Sequence, residues 1–369
     1  MAEAIELKNI TKQYPGHGKH VVKDLNLDIS RGEIVMLIGP SGCGKTTTLK
    51  MMNRLIEPTS GSIFVNGADV TTTDPTELRR SIGYVIQQVG LFPHLRVGEN
   101  VSAVLRLLKW PKNRITQRVD EMLDLVGLDP SLYRDRFPKE LSGGQKQRVG
   151  VARALAADPL ILLMDEPFGA VDPITRSHLQ AELLRLQREI QKTIVCVTHD
   201  IDEAVLLGDK IAVFGTSARI EQYAAPAELL SQPANEFVEN FIGGSNSIRV
   251  LSLLPVTPDQ LRPGRTVDAG SNTGQHGVLD EDAIALDNGR PAGWVFGSRG
   301  DREITTTETI PLATRPTYAD ALDLIMKTGE PGAIFTHADG AYAGILELGQ
   351  VHAAIATTLE PAPMMDAAS

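Results

Sequence analysis

The segment Gly39-Pro-Ser-Gly-Cys-Gly-Lys-Thr46 restricts the fold of this chain more than any other. It follows an entirely apolar run, Ile34–Ile38, and comes before a stretch compatible with a helix. In a strand–loop–helix unit of this kind, glycines let backbone N–H groups surround phosphate oxygens, and the helix dipole adds to the attraction. We therefore expect an α/β fold with a phosphate-binding loop after the strand Ile34–Ile38.

The side chains at the end of this loop have predictable tasks. Lys45 is expected to reach the β- and γ-phosphates of a nucleotide, and the Thr46 hydroxyl is expected to coordinate Mg²⁺. A Gly-rich turn formed by chance is the alternative, which the preceding strand disfavours. The residues predicted to bind the nucleotide are Gly39, Pro40, Ser41, Gly42, Cys43, Gly44, Lys45, Thr46 and Thr47.

A second apolar run, Leu160–Met164, ends in two acidic residues, Asp165 and Glu166. Ligands of α/β sheets bind where the strands end, so these carboxylates are expected beside the phosphate loop. Asp165 is suited to hold Mg²⁺ through water, and Glu166 to polarise an attacking water as general base. A solvated acidic turn is the alternative, but downstream of a phosphate loop the pair indicates a P-loop NTPase.

The segment Leu141-Ser-Gly-Gly-Gln145 narrows this large class. Ser142 is expected to cap a helix over Gln145–Ala156, and a helix start with a serine and two glycines is a second anion site. Along the chain, the phosphate loop is followed by a glutamine segment at Gln87, then by Leu141–Gln145, the acidic strand and Val197-Thr-His-Asp200. With its motifs in this order, the region 1–245 resembles the ATP-binding cassette (ABC) family. The resemblance implies a RecA-like core, an antiparallel β subdomain and a helical subdomain.

The family's remaining positions are carried over one by one. The resemblance implies that Tyr14 stacks on adenine, although a lone tyrosine is more often structural. It also implies that Gln87 contacts Mg²⁺ and the attacking water; the neighbouring Gln88 is the alternative for this position. It implies that His199 hydrogen-bonds the γ-phosphate and braces Glu166. Asp172 matches the loop that communicates between subunits. The residues implied to bind the γ-phosphate of the opposite subunit, so that a homodimer encloses two ATP molecules, are Leu141, Ser142, Gly143, Gly144 and Gln145.

Finer matches indicate the kind of ABC protein. No apolar run is long enough to span a bilayer, which disfavours an exporter fused to its membrane domain. Residues 90–95 look like the importer segment that docks a permease helix, and residues 49–61 and 165–176 resemble importers of quaternary-ammonium osmoprotectants. Such a subunit is expected on the cytoplasmic face of the inner membrane, with permease subunits and an extracytoplasmic solute-binding protein as partners. A sugar or polyamine importer ATPase and a soluble, non-transport ABC ATPase are the alternatives.

A Gly- and Ser-rich segment, Phe241–Ser247, predicts a boundary between an ABC domain, 1–245, and a second domain, 246–369. Beyond it, 283–295 and 333–346 share the pattern [Asn/Asp]-Gly-x-x-Ala-Gly, and each copy predicts two strands around a tight turn. A helix is expected ahead of the second copy, at 318–328. Thr266–Gly277, ahead of the first copy, is a poor helix former. In the osmoprotectant subfamily this region is a tandem CBS module, α+β in class, so we expect a degenerate first copy at about 248–300 and a second at about 305–358.

Charge and cysteine content exclude some functions. The formal charge is −10, with 8 Lys and Arg against 16 Asp and Glu in residues 246–369, which argues against a nucleic-acid surface. Cys43 and Cys196 lie far apart in sequence and form no metal-binding spacing, so both are expected to be buried and reduced.

Overall fold

The computed structural model describes residues 3–15, 18–86, 90–169, 171–243, 246–269, 282–296 and 304–359. The chain divides into two compact units. The first consists of Met1–Leu229 and Pro233–Phe241, and the second of Leu230–Gln232 and Ile242–Ser369. Within the described residues, no helix is both long enough and apolar enough to cross a membrane.

Strands and helices alternate along the first unit and recur in the second. The strands are β1 (Glu3–Gln13), β2 (His20–Ser30), β3 (Ile34–Ile38), β4 (Ser60–Val65), β5 (Ala68–Asp69), β6 (Ile82–Val85), β7 (Ile161–Asp165), β8 (Thr193–Val197), β9 (Lys210–Phe214), β10 (Ile220–Ala224), β11 (Thr266–Asp268), β12 (Ala283–Asp287), β13 (Arg290–Val295), β14 (Thr309–Pro311), β15 (Gly332–Thr336) and β16 (Tyr342–Glu347). The helices are α1 (Lys45–Met52), α2 (Pro75–Ser81), α3 (Val97–Val101), α4 (Ala103–Leu107), α5 (Lys112–Leu125), α6 (Pro130–Tyr133), α7 (Gly143–Ala156), α8 (Pro173–Ile190), α9 (Ile201–Leu207), α10 (Pro226–Ser231), α11 (Glu236–Ile242), α12 (Asn246–Leu253), α13 (Tyr318–Thr328) and α14 (Leu348–Leu359).

The main sheet of the first unit has the order β10-β9-β3-β8-β7-β6, and only β10 runs antiparallel to its neighbour. Strands β3, β7 and β8 are buried at every position, as expected of parallel strands covered on both faces. The predicted strand Ile34–Ile38 is confirmed at both ends. Leu160, predicted to begin a strand, lies before β7 and is 66% exposed, because the sheet covers the chain only from Ile161 onward. Strand β6 forms the edge of this sheet beside β7 and ends at Val85, so Ile86 lies outside it.

This sheet brings the predicted chemistry to one edge. Strand β3 pairs in parallel with β8, and β8 pairs in parallel with β7, so their C-terminal ends lie side by side. The phosphate loop follows β3, Asp165 ends β7, and His199 comes two residues after β8. Strand order therefore makes neighbours of groups that lie more than a hundred residues apart in sequence.

A second, antiparallel sheet of the order β2-β1-β4-β5 precedes and follows the phosphate loop in sequence. Ile5 pairs with Ile29 on β2 and with Val65 on β4, and all three are buried. Their side chains share one apolar core with Val35 of β3. That shared core attaches the antiparallel sheet to the strand that carries the loop.

The second unit contains two similar three-stranded sheets, β11-β12-β13 and β14-β15-β16. In each, the first strand pairs in parallel with the second, and the second pairs antiparallel with the third. Asn288 and Gly289 have positive φ between β12 and β13, as predicted for a tight turn. Helix α13 spans the predicted residues 318–328, begins at a Thr317 cap and ends at Gly329. Of Thr266–Gly277, residues 266–268 form β11, and residues 270–277 lie outside the described part of the chain.

The two sheets are joined by reciprocal backbone contacts. Arg262, four residues before β11, exchanges two hydrogen bonds of 3.0 Å with Ile345 on β16. Thr305, four residues before β14, exchanges hydrogen bonds of 2.9 and 3.0 Å with Trp294 on β13. A glycine with positive φ precedes each receiving residue, Gly344 at 147° and Gly293 at 152°. A Cβ at Gly293 would lie 2.1 Å from the Thr305 carbonyl oxygen, so the crossing chain excludes any side chain there.

Candidate active site

Two glycines of the phosphate loop are required by sterics. Gly39 and Gly44 have φ of 145° and 114°, which side-chain-bearing residues rarely adopt. A Cβ on Gly39 would lie 2.3 Å from the backbone oxygen of Phe214, and one on Gly44 would lie 2.8 Å from that of Val21. The loop is further held by a hydrogen bond of 2.7 Å from the Ala218 N–H to the Cys43 carbonyl. The backbone of the loop is therefore built for curvature.

Lys45 begins α1 and is buried, with 8% of its surface exposed. Its ammonium group donates hydrogen bonds to the carbonyls of Gly39 at 2.6 Å and Pro40 at 3.1 Å. The charge is thus held against the first two residues of the loop by their carbonyl dipoles. Ser41 and Gly42 are exposed at the tip of the loop, and Thr47 is half-buried in the first turn of α1.

The acidic strand meets the loop directly. The Thr46 hydroxyl donates a hydrogen bond of 2.9 Å to Oδ1 of Asp165, which is 3% exposed. Burial raises the pKa of the Asp165 carboxyl, and the hydrogen bond from Thr46 opposes part of that rise. A buried carboxylate beside a hydroxyl is an oxygen pair of the kind Mg²⁺ binds together with phosphate and water. The residues present therefore fit a magnesium ion.

Glu166 turns away from the sheet with φ of 47°, a left-handed conformation that is unusual for a glutamate. Its N–H donates to the Val197 carbonyl at 2.9 Å, so the backbone is fixed to β8. Its Oε1 lies 3.4 Å from Nδ1 of His199. The predicted pairing of this histidine with Glu166 therefore matches the geometry, and the side chain of His199 is 68% exposed above it.

The predicted helix cap at Ser142 is also present. Its Oγ accepts a hydrogen bond of 3.2 Å from the Gln145 N–H, and the Gln145 amide oxygen accepts one of 3.0 Å from the Ser142 N–H. Helix α7 begins at Gly143, followed by Gly144, and Leu141 is buried just before the cap. At this helix start Ser142 and Gly143 are exposed, and Gly144 and Gln145 are half-buried.

The other predicted residues are placed as follows. Asp172 caps α8 by accepting a hydrogen bond of 3.0 Å from the Thr175 N–H, which lowers the pKa of its carboxyl. Tyr14 follows β1, half-buried, with the Lys12 ammonium 5.1 Å from its ring centre. Gln87 and its neighbour Gln88 lie outside the described residues. The roles assigned to these residues remain predictions.

Comparison with known proteins agrees with this geometry. The model of the family described as ABC transporter matches residues 22–169. The osmoprotectant import ATP-binding protein OsmV of Salmonella typhimurium is 50% identical over 302 residues, which cover 79% of this chain and 78% of that protein. The chain belongs to the ABC transporter family.

Two further proteins similar to this ABC protein are a transport ATP-binding protein and a solved cassette. The glycine betaine/carnitine/choline transport ATP-binding protein OpuCA of Bacillus subtilis is 56% identical over 245 residues, 66% of this chain and 64% of that protein. A solved dimer of the ATP-binding cassette MJ0796 in a post-hydrolysis state, bound to ADP and phosphate, is 36% identical with a TM-score of 0.56. It covers 60% of this chain and 98% of the cassette. Because the family model matches residues 22–169, which lie within the first unit, that unit contains the ABC cassette.

The structure adds residues of the ABC cassette that sequence inspection missed. Gln147 on α7 is 2% exposed, and its amide nitrogen donates a hydrogen bond of 3.2 Å to the Glu166 carbonyl. Arg176 on α8 lies 3.5 Å from the Asp200 carboxylate, and Glu203 on α9 is buried. A polar residue on the buried face of a helix was the available signal for Gln147 and Glu203.

Proposed function

We propose that this protein is the ATP-hydrolysing subunit of an ABC importer that takes up a quaternary-ammonium osmoprotectant. The observation that carries the catalytic part is the convergence of Thr46, Asp165, Glu166 and His199 at the edge formed by β3, β7 and β8. The relatives named for osmoprotectant, glycine betaine, carnitine and choline transport carry the substrate class. Both parts are tested below.

Hydrolysis follows from what these side chains can do. The loop amides and Lys45 bind the phosphates, and Mg²⁺, when held by Thr46 and Asp165, would neutralise phosphate charge. Glu166 accepts a proton from the attacking water while the water oxygen forms a bond to the γ-phosphorus. The bond between the γ-phosphorus and the oxygen that bridges it to the β-phosphate breaks, and ADP leaves. His199, 3.4 Å from the carboxylate, keeps Glu166 oriented. Gln87 is assigned to the attacking water.

The exposed start of α7 supports a homodimer. In our proposal Leu141, Ser142, Gly143, Gly144 and Gln145 bind the γ-phosphate held by the partner subunit, and Asp172 communicates across the interface. Helix N-termini bind anions through free N–H groups and the helix dipole. Two ATP molecules then favour closure because each contributes contacts only in the closed state.

A groove in the cassette fits a helix of the permease. It has a volume of about 270 Å³ and is lined by both apolar and basic side chains, among them Phe92, Leu107 and Arg153. Asn100, fully buried, fixes the backbone at Phe92 by accepting from its N–H at 2.8 Å and donating to its carbonyl at 3.2 Å. Arg153 donates to the Gly90 carbonyl at 2.8 Å. These hydrogen bonds fix the backbone at Gly90 and at Phe92, and the Phe92 side chain lines the groove.

The remaining assignments follow from this arrangement. We place the subunit on the cytoplasmic face of the inner membrane, bound to the permease, with an extracytoplasmic protein selecting the solute. The second unit contains two similar three-stranded sheets, and we assign it as a CBS-like regulatory domain. Its copies are placed at about 248–300 and 305–358.

Uptake and hydrolysis measured together test the proposal. Cells expressing the permease and solute-binding protein with this chain should accumulate labelled glycine betaine, and excess choline, carnitine or proline betaine should compete where a sugar or spermidine does not. Glu166→Gln should keep ATP binding but lower ATP hydrolysis at least about a hundredfold and abolish uptake, since the general base is lost. Glu228→Gln, an exposed position on α10, is the control. Hydrolysis near the wild-type rate in Glu166→Gln contradicts the catalytic assignment, and competition by sugar or spermidine contradicts the substrate class.

A further inference from the structure

One arginine connects two loops of the cassette that have separate tasks. Arg176 lies in the first turn of α8, just after Asp172. Its Nη2 donates a hydrogen bond of 3.3 Å to the Val171 carbonyl, and its Nη1 lies 3.5 Å from Oδ2 of Asp200. The guanidinium therefore spans from the backbone of the loop before α8 to the residue next to His199. A planar, forked cation is suited to hold two acceptors at fixed spacing.

Asp200 uses its other atoms to fix the chain around His199. Its Oδ1 accepts hydrogen bonds from the backbone N–H groups of Asp202 at 2.9 Å and Glu203 at 3.2 Å, so it caps α9. Its own N–H donates to the Thr198 hydroxyl at 3.0 Å. Asp200 is thus bonded to residues on both sides of His199, through its backbone N–H to Thr198 and through Oδ1 to the start of α9, while its Oδ2 faces Arg176. Arg176 therefore contacts the carboxylate of the residue that directly follows His199.

Glu203 completes this cluster from the buried side of α9, where 6% of its surface is exposed. Burial raises the pKa of its carboxyl to about 7, and the charge of Asp200 adds to that rise. Among the described residues, no hydrogen-bond partner faces its Oε1 or the Nε of Arg176. The charged and titratable groups around it are Asp200 at the cap of α9, Arg176 on α8, Glu166 after β7 and Cys196 on β8, with the Thr198 hydroxyl after β8.

We propose that Arg176, Asp200 and Glu203 form a positioning unit that couples the loop at Asp172 to His199. A movement of that loop when a second subunit docks would shift Arg176 and, through Asp200, bring His199 into or out of register with Glu166. The inference rests on the proposed hydrolytic role of Glu166. None of the three residues touches the reacting atoms, so each acts on the rate through placement of His199.

A double-mutant cycle on the full-length chain tests the coupling. Arg176→Met keeps the length of the side chain without its charge, and Asp200→Asn keeps a good helix cap without a full charge. Each should lower kcat for ATP at least about tenfold while KM changes less than about twofold, and the double variant should be no worse than the poorer single variant. Arg185→Met, at an exposed position of the same helix paired with Glu182, is the matched control and should keep wild-type kcat. Independent, multiplying losses, or unchanged kcat in either single variant, overturn the proposal.

The pH dependence gives a readout that a purely structural role would not move. Glu203→Gln fixes the neutral form, so its kcat should approach that of the wild type at pH 6, where Glu203 is mostly protonated. At pH 8, where the wild-type carboxylate is charged, the two should differ by more than about threefold. A constant ratio between pH 6 and pH 8 overturns the role of Glu203. The outcomes that overturn the positioning unit differ from the one that overturns the hydrolytic role of Glu166, which is ATP turnover by the Glu166→Gln variant.

Discussion

At the scale of single residues, neighbouring carboxylates differ because their surroundings differ. Asp165 is buried but accepts a hydrogen bond from Thr46, and Glu166 is held by β8 in a left-handed backbone conformation. Glu203 is buried as deeply as a core residue, and its pKa is raised to about 7. The three surroundings suit the three roles that we propose: a metal site at Asp165, a general base at Glu166 and, at Glu203, a buried carboxyl whose ionisation falls near neutral pH.

Glu203 should make the stability of the cassette depend on pH. Its ordinary pKa is 4.5, and the folded value is about 7, so the folded state binds this proton more tightly than the unfolded chain. The resulting stability is fully present below pH 4.5 and is lost as pH rises through 7, a change of roughly 3 kcal/mol. Glu203→Gln should therefore raise Tm at pH 8 by several degrees relative to wild type and much less at pH 5. Thermal unfolding at both pH values checks this, with Glu228→Gln as the exposed control; an equal effect at both pH values contradicts it.

At the scale of elements, the start of α7 has a structural role as a capped helix end and a proposed role as an anion site. The Ser142 hydroxyl satisfies the Gln145 N–H within the chain, and the exposed N-terminus of the helix is assigned to a phosphate of the partner subunit. A cap of this kind stabilises a protein by about 1 kcal/mol, while a side chain that fills the anion site would block closure. Two substitutions at this position separate the two effects.

Ser142→Ala should lower the free energy of unfolding by about 1 kcal/mol and still allow ATP-dependent dimers, because it removes the cap without adding bulk. Ser142→Arg should prevent those dimers, since its side chain occupies the place of the phosphate. Size-exclusion chromatography with ATP, in a Glu166→Gln background that slows hydrolysis, distinguishes them. Dimers that persist in Ser142→Arg show that the partner's phosphate does not bind here.

Elements fixed by local patterns were predictable, and contacts across the sheet were not. The strand Ile34–Ile38, the cap at Ser142 and helix α13 were predicted because apolar periodicity and capping residues act within one element. The reach of Arg176 to Asp200 depends on two helices being adjacent, which no local pattern encodes. Likewise, the register of β1 with β2 and β4 contains several irregularities, which tertiary packing decides. The left-handed backbone of Glu166 is set by its hydrogen bond to β8, another contact between distant segments.

At the scale of the whole molecule, nucleotide chemistry and the repeat occupy different units. Every described residue assigned to ATP or to the partner subunit lies in the first unit, whose last segment ends at Phe241. A chain ending at Gly243 should therefore hydrolyse ATP within about threefold of the wild-type kcat, because its core and site remain intact. The same truncation carrying Glu166→Gln is the control for contaminating ATPases. Loss of ATP binding in the truncated chain would show that the cassette needs its second unit to fold or function.

The crossing contacts of the second unit bear on how its repeat has been inherited. Arg262, ahead of β11 in the first copy, pairs with β16, the last strand of the second copy, and Thr305, ahead of β14 in the second copy, pairs with β13, the last strand of the first. Each copy therefore contributes a residue that pairs with the last strand of the other copy's sheet. A recombination event that exchanged one half alone would have to supply a matching segment and a glycine beside it. The two copies are therefore expected to evolve as one heritable block, with Gly293 and Gly344 unchanged while the residues around them diverge.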